Sequence, residues 1–434
     1  MNGVMNGGDP ANIERLDRDD ILHRKNAAYL NADEVAALRR AWGEVQDISR
    51  TVRSDNRGFF EHAGLHGVPY WRCPHHLPER LFLPWHRAYL YRLEQALQDR
   101  VPGVTLPWWD WVRTRQIPAI FEASEAGGSA NVLAGLDTLV AEADRRQGRP
   151  VVTTTRRDPR DPSLLPSSDQ LDDVLGRPNF VDFSDALEDL HDRVHGWTGG
   201  TMGDVAYAAF DPVFWAHHCM IDRVWWLWQQ HNRINAVPVP DWENIVLEPF
   251  NMTVGRTLIV NALGYEYADT ETPLRLARND ANPEARVVTD PVDASDVARS
   301  DDFTRADLEI GGIRHTGTSY EGRIYFNHPD ADEHTGTQHQ SYAGSFHVFG
   351  HGGCFGAEGH CDAPDVRRRF DYRPLSRAIR MKKRVTVTDA MRRTVADGTT
   401  LQVTVVGVPV QGPTPDAELE DILNLKRISI VTYR

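Results

Sequence analysis

The chain has 434 residues and a formal net charge of −14, from 48 lysines and arginines against 62 aspartates and glutamates. No long basic run is present, which argues against nucleic acid and anionic membranes as partners. No apolar run reaches the roughly 18 residues of a transmembrane helix, and the first residues do not resemble a signal peptide. We therefore expect a cytoplasmic protein of two domains, with export alongside a partner left open.

Four segments show the apolar periodicity of amphipathic helices. They are residues 31–48, 80–98, 183–196 and 211–230. Asn31 is a helix-capping residue type and Glu34 stands where a capping box requires it. Asp211 followed by Pro212 is a favourable helix start. Histidines lie on the apolar faces of the last three segments, which predicts a helical bundle with imidazoles directed into its core.

The sequence changes character after about residue 265. Residues 266–307 are rich in Asp, Ala, Arg and Pro and have little periodicity, as is typical of an irregular connection. Short alternating runs beyond it predict strands, at 323–326, 345–350, 384–389, 401–408 and 428–433. We predict a helical domain over residues 1–265, a linker over 266–307 and an all-β sandwich domain over 308–434.

Histidine is concentrated in the first half of the chain, in two clusters. The clusters are His66, His75, His76 and His86, and His191, His195, His217 and His218. Positions 191 and 195 are one helical turn apart, so both imidazoles project from the same side. A single histidine is more often an ordinary core or surface residue. Two clusters on apolar helices are hard to explain in that way, because buried imidazoles without partners cost free energy. The sequence predicts two all-imidazole sites for Cu, Zn, Fe or Ni.

Sequence motifs also distinguish between kinds of metal centre. The HExxH motif of zinc proteases is absent. A carboxylate-bridged di-iron bundle requires two Glu-x-x-His pairs, and the chain has one, from Glu188 to His191. The general affinity order of divalent metals then favours copper over its neighbours.

Two segments resemble the copper signatures of type-3 copper proteins, the family of tyrosinases, catechol oxidases and hemocyanins. They are LFLPWHRAYLYRLEQAL and LHDRVHGWTGG followed by FDPVFWAHHCMIDRVWW, within a resemblance that covers about residues 23–265. The tail from SYAGSFHVFGHGG to ISIVTY more loosely resembles the β-sandwich that follows the copper domain in mollusc hemocyanins and several polyphenol oxidases. The resemblance implies an α-helical bundle di-copper domain followed by an all-β sandwich, with two copper ions (copper A and copper B) and O2 as co-substrate.

The resemblance also implies the copper ligands. The matching residues are His66 and His86 for copper A, and His191, His195 and His218 for copper B. The family uses the second histidine of DPxFxxHH, so His217 is a neighbour of the ligand.

The second copper-A ligand departs from the family pattern. Its usual position is occupied by Leu77, so this loop is one or two residues longer. His75 is preferred and His76 is the alternative, because some members have Cys-x-His with a thioether bond between the two side chains. Cys73 is the thioether candidate, and a plain packing role is its alternative.

Three further positions match residues that tune the chemistry in this family. Glu188 matches a glutamate that holds a water near copper B. Asp192 stands where efficient monophenol hydroxylases often have Asn, and with Glu188 it is expected to help take the phenol proton. A solvated helix surface is the alternative for both acids. Val205 matches the substrate gate above the copper pair, where a small side chain leaves the mouth more open.

The tail contributes two more expectations. Cys354 and Cys361, with His351 and His360 beside them, suit a disulfide, a local metal site or a reduced glycine-rich loop. In some relatives such a domain covers the copper pocket, and Tyr320 and Phe326 are then candidate plugs.

The resemblance implies a polyphenol oxidase of the tyrosinase or catechol oxidase type, which converts small monophenols or o-diphenols to o-quinones. One rival is an o-diphenol or o-aminophenol oxidase that lacks monophenolase activity. Another is a hemocyanin-like oxygen-binding protein, although carriers usually join many copper units and one is seen here. A third is a latent proenzyme that its own sandwich blocks. Association of identical copies is left open.

Overall fold

The computed structural model describes residues 21–74, 80–123, 125–126, 128–144, 151–232, 238–268, 285–289, 303–313, 319–350, 381–396, 401–410, 423, 425 and 427–433. The α-helices among them are α1 (Ala32–Thr51), α2 (Phe59–His66), α3 (Phe82–Arg100), α4 (Ser168–Leu175), α5 (Phe180–Thr198), α6 (Pro212–His231), α7 (Val254–Thr257) and α8 (Thr388–Ala396). None of these described helices has the length and apolarity needed to cross a membrane.

Short strands accompany the helical part and longer ones form the C-terminal part. The short strands are β1 (Leu22–Arg24), β2 (Glu125–Ala126), β3 (Ser129–Ala130), β4 (Val246–Leu247), β5 (Met252–Thr253) and β6 (Tyr265–Tyr267). The longer strands are β7 (Ala285–Thr289), β8 (Arg305–Ile313), β9 (Tyr320–Phe326), β10 (Tyr342–Val348), β11 (Met381–Thr386), β12 (Val403–Pro409) and β13 (Arg427–Tyr433). They form an antiparallel sheet in the order β11-β8-β13-β7 and a second one in the order β10-β9-β12.

Local sequence signals set the ends of the predicted helices. Asn31 and Glu34 form the complete capping box at the start of α1. The Asp211 side chain accepts a hydrogen bond from the backbone N–H of Val213, and Pro212 occupies the first turn of α6, where its missing N–H costs nothing. All four predicted helices are present, and a helical core followed by a sheet-containing region confirms the expected fold class.

The C-terminal part differs from the expectation in two respects. It contains helix α8, so it is not purely β. The stretch predicted as an irregular connection, residues 266–307, includes β7 and the start of β8. The strand β8 has a weak sequence signal because it includes the buried Asp307 and two glycines, Gly311 and Gly312, which are depleted in strands. The exact domain boundaries stay predictions.

Among the described residues, two hydrophobic clusters form the core. One lies among the helices and includes most of the tryptophans, and the other lies between the two C-terminal sheets. Helix α5 connects the two parts, because it packs against α3 and α6 on one side and against β10 and β11 on the other. The segment that carries His191 and His195 therefore lies at the boundary between the helical core and the sheets.

A buried ion-pair network fixes α3 and α6 behind the histidines. Arg24 of β1 donates to Glu94 of α3 at 2.9 Å and to Asp222 of α6 at 3.2 Å. Asp222 also accepts from Arg87 of α3 and from the Tyr265 hydroxyl at 2.7 Å. Because these charges are almost fully buried, each depends on its partners for compensation.

Candidate metal centre

Four helices bring five histidines into one buried pocket. Helix α2 ends at His66, α3 carries His86, α5 carries His191 and His195, and α6 carries His218. All five side chains are at most 2% exposed. The rings of His86 and His218 are stacked with centroids 4.3 Å apart, so the two sequence clusters meet at this contact.

Three ring nitrogens converge in the second cluster. The Nε2 atoms of His191 and His218 are 3.3 Å apart, and those of His195 and His218 are 3.4 Å apart. Metal–imidazole bonds of about 2.0 Å in a tetrahedral arrangement would separate two nitrogens by about 3.3 Å. The spacing therefore fits three ligands of one metal ion.

The hydrogen bonds on the other side of each ring show which nitrogen faces the pocket. His195 Nδ1 lies 2.8 Å from the carbonyl oxygen of Met202, which can only accept, so Nδ1 donates and Nε2 carries the lone pair. His191 Nδ1 lies 3.0 Å from Asp192 Oδ1, which assigns the same tautomer. In these tautomers the Nε2 lone pairs of His191 and His195 both face His218 Nε2, which can donate a proton to at most one of them. A cation between them satisfies them, as in metal centres whose ligand histidines donate outward.

The first cluster has the same construction in the residues that the structure describes. His86 Nδ1 bonds to the carbonyl of Phe82 at 2.9 Å, and His66 Nδ1 bonds to the carbonyl of Val205 at 3.3 Å. Cys73 is buried, and its Sγ lies 3.7 Å from His86 Nε2. One ligand atom each from His66, Cys73 and His86 lie within 4.8 Å of one another, which is close enough for a metal ion.

Several expected site residues lie outside the described residues. They are His75, His76, Cys354, Cys361, His351 and His360. The preference for His75 over His76 as the copper-A ligand therefore stays a prediction. The thioether bond of Cys73 stays a prediction as well.

His217 belongs to the same cluster but is placed differently from His218. Its ring stacks on that of His191 with centroids 5.2 Å apart. The Nε2 atoms of His191 and His195 both approach His218 instead. This geometry favours the predicted ligand, His218, over its neighbour.

Burial keeps the imidazoles in the form that binds metals. Loss of solvent lowers the pKa of His86 and that of His195 to about 3, although each backbone hydrogen bond acts in the opposite direction. The pKa of His218 is lowered well below its usual value, mainly by burial and to a smaller extent by the nearby imidazoles. These rings are neutral at neutral pH, as a metal ligand must be.

The two predicted acids are buried, so the alternative considered for them, a solvated helix surface, does not hold. Glu188 is 7% exposed and burial raises its pKa. Asp192 is 2% exposed, and each of its oxygens has a partner. Its Oδ1 faces His191 Nδ1, and its Oδ2 accepts from the Nζ of Lys383 at 2.8 Å. Lys383 comes from β11 and was not expected at this site.

An aromatic ring from the C-terminal part covers the second cluster. Phe349 follows β10, and its ring stacks on His195 with centroids 4.0 Å apart and an angle of 17° between planes. The expected plugs, Tyr320 and Phe326, instead belong to the core between the sheets. Strand alternation explains the difference, because Phe346 and Val348 enter that core while Phe349, on the opposite face, joins the helical core. The same alternation in the strand predicted at 345–350 was the sequence signal that could have identified Phe349.

Val205, the predicted gate, is 1% exposed. Its observed contact with the site is through the backbone, because its carbonyl orients His66. A gating role for its side chain stays a prediction.

A helical bundle that collects neutral imidazoles into two adjoining clusters defines a class of protein with a paired metal centre. Comparison with known proteins agrees. A family model described as the common central domain of tyrosinase matches residues 56–231. A tyrosinase from Streptomyces glaucescens is 31% identical over 285 residues, which are 57% of this chain and 99% of that protein. The chain belongs to the tyrosinase family of type-3 copper proteins, whose central domain implies a di-copper centre.

Hemocyanins are also among the similar proteins. Hemocyanin 2 of Megathura crenulata is 29% identical over 245 residues, which are 52% of this chain and only 7% of that protein. The structure of a functional unit from octopus hemocyanin shares the fold, with a TM-score of 0.65 and 19% identity over 94% of this chain and 99% of that one. The family and the fold are thus established. The distinction between an enzyme and a hemocyanin-like protein has to be argued from the residues of the site.

Proposed function

We propose that the chain is an O2-dependent copper oxidase that converts phenols to o-quinones at the paired histidine clusters. The observation that carries the proposal is that His191 and His195 donate through Nδ1 and present Nε2 to the same nitrogen, Nε2 of His218. His66, His86, His191, His195 and His218 would hold two copper ions, with one further ligand from His75 or His76. Similarity to a Streptomyces tyrosinase over nearly its whole length supports the enzymatic reading.

Bound copper supplies O2 binding and exchanges electrons with the phenol. An o-diphenol loses two electrons and two protons as it becomes an o-quinone, and O2 takes four electrons and four protons from two such diphenols to give two waters. The protein's part is to exclude bulk water and orient the substrate ring. Phe82 and Phe214 help to exclude water, because their buried rings lie against two of these histidines, with centroids 4.9 Å from His191 and 4.1 Å from His218 respectively.

The carboxylates bear on the choice between monophenols and o-diphenols. Hydroxylation of a monophenol needs a group that takes the phenol proton. Both oxygens of Asp192 are engaged, one by His191 and one by Lys383, so the geometry supports an orienting role for this residue. Glu188 lies buried on α5, one helical turn before Asp192, and burial raises its pKa, so it is the better candidate base. The occupied Asp192 favours an o-diphenol or o-aminophenol oxidase as the narrower alternative.

The covered pocket is the observation that favours a different function. The five described histidines are nearly inaccessible, and Phe349 lies against His195. Such a pocket admits a diatomic molecule more readily than an aromatic ring. A hemocyanin-like oxygen-binding protein is therefore the second candidate, and a latent enzyme that opens when the C-terminal part is cut or displaced is the third.

One experiment separates these functions. The copper-loaded protein is treated with hydrogen peroxide, its near-ultraviolet spectrum is recorded, and tyrosine, catechol and 2-aminophenol are offered side by side. The substrates are offered again after limited proteolysis within residues 266–307. Turnover of tyrosine supports a tyrosinase, and turnover of only catechol or 2-aminophenol supports the narrower oxidase. A spectral band without turnover in either form supports a carrier, and no band at two coppers per chain refutes the paired site.

A further inference from the structure

A buried lysine of the C-terminal part reaches into the helical domain beside a metal ligand. Lys383 lies in β11 at an inward position between Met381 and Val385, and its side chain is 5% exposed. Its Nζ is 2.8 Å from Asp192 Oδ2 and 3.6 Å from Asp189 Oδ1, both on α5. The ammonium thus crosses from the sheet to the helix that carries His191 and His195.

The pairing of this lysine is part of a continuous chain of contacts. Asp192 Oδ2 accepts from Lys383, and Asp192 Oδ1 accepts from His191 Nδ1 at 3.0 Å. Beyond the ring, His191 Nε2 faces His218 Nε2 at 3.3 Å. A carboxylate behind a ligand histidine sets its tautomer and the direction of the ring, and such outer partners tune metal affinity. Here the carboxylate is itself held by a charge from another part of the fold.

Charge explains why a lysine is needed there. Helix α5 directs Glu188, Asp189 and Asp192 toward this boundary, and Glu188 and Asp192 are buried. A buried carboxylate without a compensating cation is costly, and it would turn toward any available donor or solvent. A paired carboxylate keeps one orientation, and with it one orientation of the histidine it contacts.

We propose that Lys383 is a positioning residue for the second histidine cluster, because its ammonium holds Asp192 in the orientation that directs His191 Nε2 toward His218. The proposal rests on the copper site proposed above. It assigns to the C-terminal part a share in building the metal centre, in addition to covering it with Phe349.

The neighbours of Lys383 provide matched controls. Arg384 also bridges from β11 to α5, because its Nη1 lies 2.6 Å from Asp182 Oδ1, but Asp182 is in the first turn of the helix, away from the histidines. Lys382 is half-exposed and pairs with Glu309 of the adjacent strand at 2.6 Å. Arg384→Met therefore removes an ion pair between the two parts, together with a second pair to Glu309, without touching Asp192. Lys382→Met removes one pair within the sheet.

The first readout is copper retention. Wild type, Lys383→Met, Lys383→Arg and the two controls are loaded with copper and titrated with a chelator, and bound copper is counted per chain. We expect Lys383→Met to lose one of the two ions at a chelator concentration about 10- to 100-fold lower than wild type. Lys383→Arg should recover much of the affinity because it restores the charge, and both controls should match wild type.

The second readout uses the metal-free protein, so it does not depend on copper. Histidine labelled with nitrogen-15 reports the tautomer of His191 by NMR. We expect a single Nδ1-protonated form in wild type and in Arg384→Met, and a mixture of tautomers in Lys383→Met. Lys383→Gln, which keeps a donor for Asp192 without the charge, replaces the Met variant if circular dichroism shows that the latter does not fold.

The outcomes separate this inference from the proposed function. Wild-type copper affinity and an unchanged His191 tautomer in Lys383→Met would overturn the positioning role. Equal copper loss in Arg384→Met would also overturn it, since the effect would then be that of any ion pair between the two parts. A wild-type protein that binds no copper refutes the proposed oxidase, while the tautomer measurement still decides the link from Lys383 to His191.

Discussion

Replacement of Phe349 by alanine should open the pocket of the intact chain. The ring is 2% exposed and stacks on His195 at 4.0 Å. Loss of a buried Phe side chain costs about 3–5 kcal/mol, and we expect the lower end because water can enter the space between the two parts. If the substitution destabilises the covered state by about 3 kcal/mol relative to the open state, the population of the open state rises roughly 100-fold. Each 1.4 kcal/mol changes this equilibrium constant by a factor of ten.

The assay is the rate of catechol oxidation by the uncleaved, copper-loaded protein. We expect Phe349→Ala to increase this rate strongly, up to the rate of the proteolysed wild type. Phe326→Ala is the matched control, because that ring is buried between the sheets and makes part of a different core. It should lose comparable stability without gaining activity. A Phe349→Ala protein with full copper and a wild-type rate, alongside an active proteolysed wild type, would refute the reasoning.

Three further predictions follow from the described contacts. His195→Ala should lose about one copper per chain and all oxidase activity, and elemental analysis showing full copper together with activity would contradict the ligand assignment. Burial lowers the pKa of His62 to about 4, below its unfolded value of about 6.5, so stability from its neutral form is complete above pH 6.5 and lost as pH falls. Urea unfolding of the metal-free protein at pH 7 and 5 should therefore show a smaller loss of stability in His62→Gln, by about 2 kcal/mol between the two pH values, and an unchanged loss would count against it. Asp222→Asn should cost about 3–5 kcal/mol in the same unfolding assay, because it leaves the buried Arg24 and Arg87 without their shared carboxylate, and a loss below about 1 kcal/mol would contradict this.

Helices and their histidines were predictable because their signals are local. The capping box of Asn31 and Glu34 and the start of α6 at Pro212 follow from residues within a few positions of each other. The spacing of His191 and His195 places both on one face of any helix that includes them. The family resemblance then supplied the remaining predicted ligand positions. It also implied copper, which is one of the four metals that all-imidazole sites suit.

The contacts that complete the site depended on the tertiary structure. Lys383 and Asp192 are 191 residues apart in the chain, and no local pattern around either residue specifies the other. The alternation of β11 places Lys383 on an inward face, but only the packing of that face against α5 decides that its partner is the carboxylate behind His191. Phe349 reaches His195 for the same reason, since the end of β10 lies against α5. Periodicity along a segment determines which side chains share a face, whereas the partner of that face is chosen when distant segments bury their apolar surfaces together.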